Sequence, residues 1–241
     1  MKGIILSGGS GTRLRPLTKM TSKQLLPVYN RPMIYYPLNT LLRAGITDIL
    51  IIIAPEHAGN YLNLLGSGKE FGARFTYEIQ DEPRGLAEAF IIAESFLDND
   101  NVTMILGDNI FEDDFTEEIK SFRSGGRIFA KRVPDPERFG VVTFDEHGTA
   151  TSIEEKPTHP QSNYAIPGLY IFDGRASEIA KTITPSARGE LEITDMHTYY
   201  LQRGELDVKT FDGAWIDAGT FDSLLAAQQL AKEKLADRMM I

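Results

Sequence analysis

The chain of 241 residues is 42% hydrophobic and 24% charged, which is typical of a globular protein with one large core or a core with an inserted lobe. It has no cysteine, which excludes disulfide bonds, thiolate metal sites and a cysteine nucleophile, and its net charge of −9 argues against a nucleic-acid surface. The sequence shows no signal-peptide pattern and no apolar run that could span a bilayer, so we expect a cytoplasmic protein without a membrane partner.

Apolar strands alternate with amphipathic helices along the first half of the chain. In order, the pattern predicts strand 3–6, helix 33–44, strand 49–54, helix 58–65, strand 75–80, helix 85–96, strand 102–106 and helix 115–122. This alternation is typical of an α/β fold with a Rossmann-like, doubly wound and mostly parallel mixed sheet.

Shorter strands follow from residue 127 onward. They are predicted at 127–133, 141–144, 151–153 and 168–172, with helices at 176–183, at 193–202 and from residue 221. We expect these elements to form a second lobe that completes the same sheet. Because no linker, charge block or internal repeat separates the two halves, we predict a single domain over residues 1–241.

A glycine-rich turn comes directly after the first predicted strand. Its glycines are Gly8, Gly9 and Gly11. Without side chains, such a turn leaves main-chain N–H groups uncovered, and these groups bind anions. Arg13 then adds a planar charged fork and Lys23 a compact ammonium group, which are the two cations that proteins use to hold phosphates. The segment therefore predicts a polyphosphate site.

Three common motifs of this kind do not fit the turn. A P-loop would need GxxxxGK[ST], and a dinucleotide-binding fingerprint would need glycine where Leu14 stands. The nucleophile elbow GxSxG also fails, because Gly8, Ser10 and Thr12 occupy its fixed positions. Kinase, dehydrogenase and covalent mechanisms are therefore disfavoured.

Two aspartates stand at the ends of apolar segments. Asp108 follows the predicted strand 102–106, and Asp217 ends another apolar stretch just before a helix. In open α/β sheets ligands bind beyond the carboxyl ends of the strands, and Mg²⁺ prefers one or two carboxylates together with substrate phosphates. Taken alone, residues 107–109 are more often a simple polar turn. Two such acids beside a phosphate turn indicate metal-assisted phosphoryl chemistry.

Other polar features have structural explanations. The acidic run 112–114 is predicted to begin a helix, where acids favour the helix dipole, rather than to bind metal. The four histidines lack metal-ligand spacing, so we expect surface or structural roles for them. Trp215 is predicted to anchor the core beside Asp217.

Nine sequence blocks in order resemble those of the sugar-nucleotide pyrophosphorylases, most closely the thymidylyl branch of that family. They are GGSGTRLRPLT, SKQLLPV, QDEPRGLAEAF, LGDNIF, DPERFGVV, EEKP, SNYAIPGLYIFD, PSARGELEITD and WIDAGT, and the resemblance spans about residues 2–231. Several blocks are long, which makes a chance match implausible, whereas LGDN or EEKP alone would carry little weight.

The resemblance implies a magnesium-dependent nucleotidyl transfer. The phosphate of glucose 1-phosphate would attack the α-phosphorus of dTTP in line, leaving dTDP-glucose and pyrophosphate, with no enzyme nucleophile. Catalysis would then rest on positioning and charge neutralisation. The resemblance also implies a homodimer or homotetramer. Residues 1–126 would mainly bind nucleotide and residues 127–241 mainly sugar phosphate.

Site residues follow from the matched blocks. Arg13, Lys23 and Asp108 match catalytic positions, and Asp108 and Asp217 match magnesium ligands. The nucleotide-binding positions are Leu6, Gly8, Gly9, Gly11, Thr12, Arg13, Gln24, Gln80, Gly85 and Asp108. The sugar-phosphate-binding positions are Asn109, Gly140, Glu155, Lys156, Ile166, Tyr170 and Arg188.

The chain departs from the long family members in two places. It ends at Ile241 without the helical extension that helps form their regulatory nucleotide site, so we do not expect feedback inhibition there. Ser7 stands where the family usually has alanine, which adds a hydroxyl near the nucleotide.

Three alternatives stay open. A related pyrophosphorylase using UTP or another hexose 1-phosphate would keep the mechanism. A non-catalytic sugar-nucleotide-binding subunit would keep the fold, although the four charged residues Arg13, Lys23, Asp108 and Asp217 argue against it. A glycosyltransferase would consume the sugar nucleotide instead of making it.

Overall fold

The structure, a computed structural model, describes residues 1–9 and 11–241, so Ser10 of the glycine turn lies outside the described residues. The strands are β1 (Lys2–Ser7), β2 (Pro27–Val28), β3 (Arg31–Pro32), β4 (Asp48–Ile53), β5 (Arg74–Ile79), β6 (Val102–Leu106), β7 (Asn109–Phe111), β8 (Gly126–Arg132), β9 (Gly140–Phe144), β10 (Ala150–Glu155), β11 (Tyr164–Ile166), β12 (Leu169–Phe172), β13 (Leu206–Thr210) and β14 (Trp215–Asp217). The α-helices are α1 (Tyr35–Arg43), α2 (Ala58–Leu65), α3 (Glu88–Ile92), α4 (Glu94–Leu97), α5 (Thr116–Ser121), α6 (Ala176–Thr182), α7 (Ile193–Leu201) and α8 (Phe221–Leu230).

The chain forms two compact units. The first consists of Met1–Pro83, Thr103–Ser121 and Gly213–Ile241, and the second of Arg84–Val102 and Phe122–Asp212. The C-terminal segment therefore belongs to the same unit as the glycine turn. The prediction of one domain with halves that meet near residue 126 stays a prediction.

The first unit contains a sheet with the strand order β6–β1–β4–β5. Strand β4 runs parallel to both β1 and β5, with Gly3 opposite Ile49 and Ile49 opposite Phe75. The sequences KGIILS and DILIII are almost wholly buried, as expected for parallel strands that are covered on both faces. Gly3 allows the close approach of α1, because a Cβ there would lie 3.0 Å from the side chain of Leu41. The predicted α/β class is confirmed.

A second cluster of the first unit encloses the segment that follows the glycine turn. Buried side chains of α8, among them Ala227 and Leu230, pack with Leu14, Val28 and Met33. Helix α8 begins at a capping box, in which the Thr220 side chain accepts a hydrogen bond from the Ser223 N–H. The C-terminal helix thus stabilises the segment that carries the predicted phosphate-binding cations.

The second unit contains strands in the order β10–β9–β11–β8–β12, and β13 also pairs with β8. Strand β9 pairs antiparallel with β10 and β11, and β8 pairs antiparallel with β11 and β12, whereas β13 runs parallel to β8. Strands β11 and β13 were not predicted, because one has three residues and the other, LDVKT, is half polar. The helix predicted over 85–96 is divided into α3 and α4 at Ala93.

His197 lies fully buried on α7, inside the second unit. Its imidazole packs against the rings of Tyr170 and Phe172, with centroids 5.1 and 5.8 Å away. Among the described residues, neither ring nitrogen has a hydrogen-bond partner. Burial lowers the pKa of His197 to about 3, so the folded chain holds this side chain neutral. The histidine is structural, as the lack of ligand spacing indicated.

We expect the buried imidazole to make stability depend on pH. Below the ordinary histidine pKa of about 6.5, His197 becomes protonated in the unfolded chain but stays neutral in the folded chain until about pH 3. The free energy of unfolding therefore falls as the pH falls from about 6.5 to about 3. The loss at pH 5 amounts to about 2 kcal/mol. We expect urea unfolding at pH 7.5 and pH 5 to give a smaller difference in the free energy of unfolding for His197→Phe than for the unaltered chain, by about 2 kcal/mol. The exposed His147, changed to Asn, serves as the control, and an unaltered pH dependence in His197→Phe would contradict the prediction.

No helix in the described part of the chain combines the length and the apolar character that crossing a bilayer requires. The cytoplasmic location stays a prediction.

Candidate active site

The turn between β6 and β7 places a buried ion pair at the end of the parallel sheet of the first unit. Asp108 is 7% exposed, and the Lys23 ammonium donates a hydrogen bond to its Oδ2. Burial alone would raise the pKa of the Asp108 carboxyl, but the charge and hydrogen bond of Lys23 outweigh it and hold that pKa below its usual value. Burial likewise opposes the Lys23 charge, yet Asp108 and Asp217 raise the Lys23 pKa. Both groups are charged.

Asp217 reaches the same place through the pairing of two short strands. Strand β14 runs antiparallel to β7 with Asp217 opposite Asn109, and the Ala218 N–H donates to the Asp108 carbonyl oxygen at 2.9 Å. The two predicted metal ligands therefore stand on neighbouring backbone segments. Within residues 1–9 and 11–241, no cluster of three or more His, Asp or Glu side chains has the arrangement of a metal site. A pair of carboxylates is nevertheless the donor set that Mg²⁺ takes when substrate phosphates complete its shell, so the residues fit this ion.

Arg13 approaches this pair across Gly219. A Cβ on Gly219 would lie 2.7 Å from Arg13 Nη2 and 3.1 Å from Asp217 Oδ1. The missing side chain thus leaves room for the guanidinium and the carboxylate to come close. Gly219 was not among the predicted site residues, although its place in WIDAGT directly after the predicted ligand could have indicated it.

The glycine turn itself accommodates side chains that would otherwise collide with it. Gly11 has a φ of 59°, in the left-handed region that glycine tolerates. The Lys23 stem passes within 3.6 Å of where a Gly9 Cβ would stand, and a Cβ on Gly8 would collide with the Gln80 amide oxygen. Gln80, 5% exposed, is therefore held against the turn rather than left at the surface.

The other predicted nucleotide residues of the first unit are arranged around this turn. Leu6 is buried in β1 and its carbonyl oxygen accepts from the Gly107 N–H at 2.9 Å, while Thr12 begins a short 3-10 helix. Gln24 lies in the 3-10 helix Lys23–Leu25 and is 2% exposed. Ser7, the departure from the family pattern, is also buried, and its hydroxyl is close enough to that of Tyr61 to oppose the rise of the Tyr61 pKa, although no partner in the described part of the chain meets hydrogen-bond geometry with it.

Asn109 lies in the first unit, directly beside Asp108. Its Nδ2 donates to Asp108 Oδ1 at 3.2 Å, and its Oδ1 accepts from Trp215 Nε1 at 2.7 Å. Trp215 is partly exposed and lies outside the buried core, so the prediction that it anchors the core was wrong. Its indole N–H instead helps to orient the amide that contacts the carboxylate. The role of Asn109 toward a sugar phosphate stays a prediction.

The predicted sugar-phosphate cations lie together in the second unit. Lys156 Nζ is 3.4 Å from Glu155 Oε1, and Arg188 Nη2 is 3.3 Å from the same oxygen. Arg188 also pairs with Glu192 at 2.8 Å and with Glu190 at 3.5 Å. Glu192 was missed in the sequence, although it lies in the matched block PSARGELEITD. The carboxylates hold Arg188 in place and raise its pKa against the effect of burial.

The remaining predicted residues of the second unit pack closely against neighbouring elements. A Cβ on Gly140 would collide with Thr194 Cγ2 at 2.8 Å, so this glycine allows the close approach of α7, whereas its distances to Glu155 Oε2 (3.5 Å) and Ile166 Cδ1 (3.8 Å) would be ordinary contacts. Tyr170 is 3% exposed on β12. Gly85 has a φ of 109°, and a Cβ there would collide with the Leu191 backbone.

The acidic run 112–114 was predicted to begin a helix, and of its three residues Asp114 contacts the start of α5, whereas Glu112 and Asp113 contact the C-terminal segment. Glu112 pairs with Lys234 at 2.8 Å, Asp113 accepts from the Gly213 N–H at 2.9 Å, and Asp114 accepts from the Thr116 N–H at the start of α5. These contacts stabilise the fold of the first unit.

Comparisons with known proteins agree on one family. A sequence model of the nucleotidyl transferase family matches residues 2–234. The glucose-1-phosphate thymidylyltransferase of Neisseria meningitidis is 55% identical over 230 residues, which cover 93% of this chain and 80% of that protein. The enzyme of the same name from Mycobacterium tuberculosis is 51% identical over 237 residues, which cover 96% and 82%.

Solved structures show the same similarity. A putative glucose-1-phosphate thymidylyltransferase from Bacillus anthracis, in complex with a sucrose, superposes with a TM-score of 0.91 at 48% identity and covers 97% of this chain and 96% of that one. A UDP-glucose pyrophosphorylase complexed with UDP-glucose has a TM-score of 0.83 at 24% identity, covering 97% and 98%, and this likeness concerns the fold alone.

Proposed function

The chain belongs to the nucleotidyl transferase family, and on that premise we propose that it joins dTTP and glucose 1-phosphate to form dTDP-glucose and pyrophosphate. The proposal rests mainly on one observation: four charged residues lie close together next to the glycine turn. They are Lys23, Asp108, Asp217 and Arg13. Two cations and two carboxylates at one sheet edge suit a reaction between anions, in which charge must be neutralised as it moves.

The proposed reaction is a direct displacement at phosphorus. An oxygen of the sugar phosphate attacks the α-phosphorus, the bond from that phosphorus to the bridging oxygen breaks, and pyrophosphate leaves with the electron pair. Lys23 donates hydrogen bonds to the α-phosphate, and the Arg13 fork binds the oxygens of the departing pyrophosphate. Asp108 and Asp217 are the residues that would hold magnesium, and a bound ion would supply neutralisation of phosphate charge there. No enzyme group becomes covalently bonded.

The proposal assigns the second unit to the sugar phosphate. Glu155 accepts hydrogen bonds from sugar hydroxyls, and Lys156 and Arg188 bind the phosphate. The carboxylates around Arg188 keep its guanidinium in one orientation before the ligand arrives, which lowers the entropic cost of binding. A homodimer or homotetramer and a magnesium requirement are part of the same proposal.

A substrate matrix tests the function. Purified protein with Mg²⁺ is mixed with dTTP, UTP, CTP or GTP and with several hexose 1-phosphates, and pyrophosphate is measured. We expect the highest kcat/KM for dTTP with glucose 1-phosphate. Greater activity with UTP would indicate the related pyrophosphorylase, and nucleotide binding without turnover would indicate a binding subunit. In a parallel incubation with dTDP-glucose in place of the two substrates, its consumption without pyrophosphate would indicate a glycosyltransferase.

Lys156→Ala should raise the KM for glucose 1-phosphate about tenfold and leave the KM for dTTP unchanged, because the proposal brings this cation to one substrate only. Lys209→Ala is a matched control, since Lys209 is similarly exposed and pairs with Asp207 at 3.2 Å in the same unit. Steady-state kinetics with each substrate varied in turn measures both constants. An equal rise in the KM for dTTP would refute the assignment.

A further inference from the structure

Three buried hydroxyl and amide side chains form a hydrogen-bonded cluster under the glycine turn. The Ser22 hydroxyl donates to Gln24 Oε1 at 2.5 Å, and the Tyr61 hydroxyl lies 3.3 Å from the same oxygen in donor geometry. The two hydroxyl oxygens are themselves 2.8 Å apart. Because Ser22 donates its proton to Oε1, the single Tyr61 proton is shared between Ser22 Oγ and Gln24 Oε1. Ser22 is 3% exposed and Tyr61, on α2, is fully buried. Burial raises the pKa of Tyr61 to about 12, so its proton stays on the oxygen and is available for donation.

The hydrogen bonds of the cluster reach the oxygen of the Gln24 amide and not its nitrogen. The Ser22 hydroxyl donates to Oε1, and the Tyr61 hydroxyl acts on Oε1 either directly or through Ser22. In the described part of the chain, no residue makes a hydrogen bond with Nε2. A glutamine amide carries an acceptor on one branch and two donors on the other. With the acceptor occupied, the group that this side chain can offer to a ligand is its N–H.

The Gln24 side chain lies beside the backbone of the candidate active site. A Cβ on Gly107 would lie 2.9 Å from Gln24 Cγ, so the side chain lies against the residue that precedes Asp108. The neighbouring Lys23 passes Gly9 and contacts Asp108. The Gln24 side chain therefore lies beside the backbone that carries the carboxylate, and follows in sequence the cation, to which the proposed function brings the nucleotide.

We propose that Ser22 and Tyr61 are positioning residues that fix the Gln24 amide as a hydrogen-bond donor, so that Gln24 recognises an acceptor oxygen of the nucleoside. This inference rests on the proposed function and names the chemistry that its nucleotide site selects: a carbonyl or hydroxyl oxygen is accepted and an N–H at that place is rejected. A glutamine free to rotate its amide would accept either, since the two edges exchange roles on a 180° turn.

A double-mutant cycle on dTTP binding tests the inference. Calorimetry with dTTP and Mg²⁺, in the absence of sugar phosphate, compares the unaltered chain with Tyr61→Phe, Gln24→Ala and the double variant. Tyr61→Phe removes one hydroxyl, and the loss of one orienting hydrogen bond should weaken dTTP binding about threefold to tenfold. In the Gln24→Ala background the same change should have no further effect beyond a factor of about two, because Tyr61 acts through Gln24.

Two further variants separate orientation from stability. Tyr36→Phe is a matched control, since the buried Tyr36 hydroxyl donates to the Val28 carbonyl oxygen at 2.8 Å, and it should lower stability without changing dTTP affinity. Gln24→Glu keeps an acceptor for the two hydroxyls but replaces the N–H edge, and it should weaken dTTP binding at least as much as Gln24→Ala. Dissociation constants within a factor of two for Tyr61→Phe and the unaltered chain, equal losses in both backgrounds, or full affinity of Gln24→Glu would each overturn the inference.

The binding assay also keeps this inference apart from the proposed function. If the unaltered chain binds dTTP but releases no pyrophosphate with any sugar phosphate, the proposed turnover fails while the cycle can still be read. If turnover is normal and the cycle gives one of the overturning results, the positioning role fails and the function stands.

Discussion

Asp108→Asn should lower kcat by on the order of a hundredfold or more, measured as pyrophosphate release from dTTP and glucose 1-phosphate at saturating Mg²⁺. The change removes one of two carboxylates that we assign to the metal, and the metal's charge neutralisation is worth several kcal/mol in the transition state. It also leaves the buried Lys23 without its partner, which should reduce the free energy of unfolding by about 3 kcal/mol. The kinetic assay must therefore be run well below the melting temperature of the variant.

Glu112→Gln is the matched control for this variant. Glu112 is likewise a carboxylate of the first unit paired with a lysine, Lys234, at 2.8 Å, but it lies in the acidic run that makes structural contacts. The kcat of Glu112→Gln should stay within about twofold of that of the unaltered chain, because this substitution removes only a partly exposed ion pair. Near-normal kcat for Asp108→Asn would remove Asp108 from the metal site, and a large loss for Glu112→Gln would give the acidic run a catalytic role.

Gly219→Ala should lower kcat by about tenfold to a hundredfold while leaving the fold intact. The added Cβ would meet Arg13 Nη2 at 2.7 Å, and the guanidinium is the far end of a flexible side chain, so Arg13 gives way rather than the backbone. A displacement of about 1 Å at a group that binds the leaving pyrophosphate can cost about a hundredfold in rate. Burst and steady-state pyrophosphate measurements, together with urea unfolding, separate the loss of rate from any loss of stability.

Gly59→Ala is the control for this substitution. Gly59 lies in α2, and a Cβ there would meet nothing within 4 Å. Alanine should stabilise the helix by about 0.5–1 kcal/mol and leave kcat unchanged. If Gly219→Ala keeps full kcat, the gap at Gly219 is not needed to position Arg13. If Gly219→Ala unfolds the protein, glycine at this position is needed for stability of the fold rather than for the placement of Arg13.

Most of the regular structure of the first unit could be predicted because its patterns are local. Strands β1, β4 and β6 are short aliphatic runs, and helix α2 has the predicted bounds 58–65, since the pattern of apolar residues reflects the burial of each element. Prediction was weaker where a strand is short or half polar, as in β11 and β13, because such strands are formed by their neighbours in the sheet and not by their own composition.

The order of residues is enough to predict which chemical groups the candidate site contains: a glycine turn after a buried strand, two cations, and two aspartates that each follow an apolar segment. Their types and local positions are properties of short segments, and these can be read from residue order. Which of these groups come into contact depends on the packing of the folded chain. The pairing of β14 with β7 brings Asp217 next to Asp108, Gly219 leaves the gap that Arg13 enters, and α2 carries Tyr61 to Gln24. These contacts join residues far apart in the chain, and their geometry depends on how whole elements pack, which no local pattern specifies.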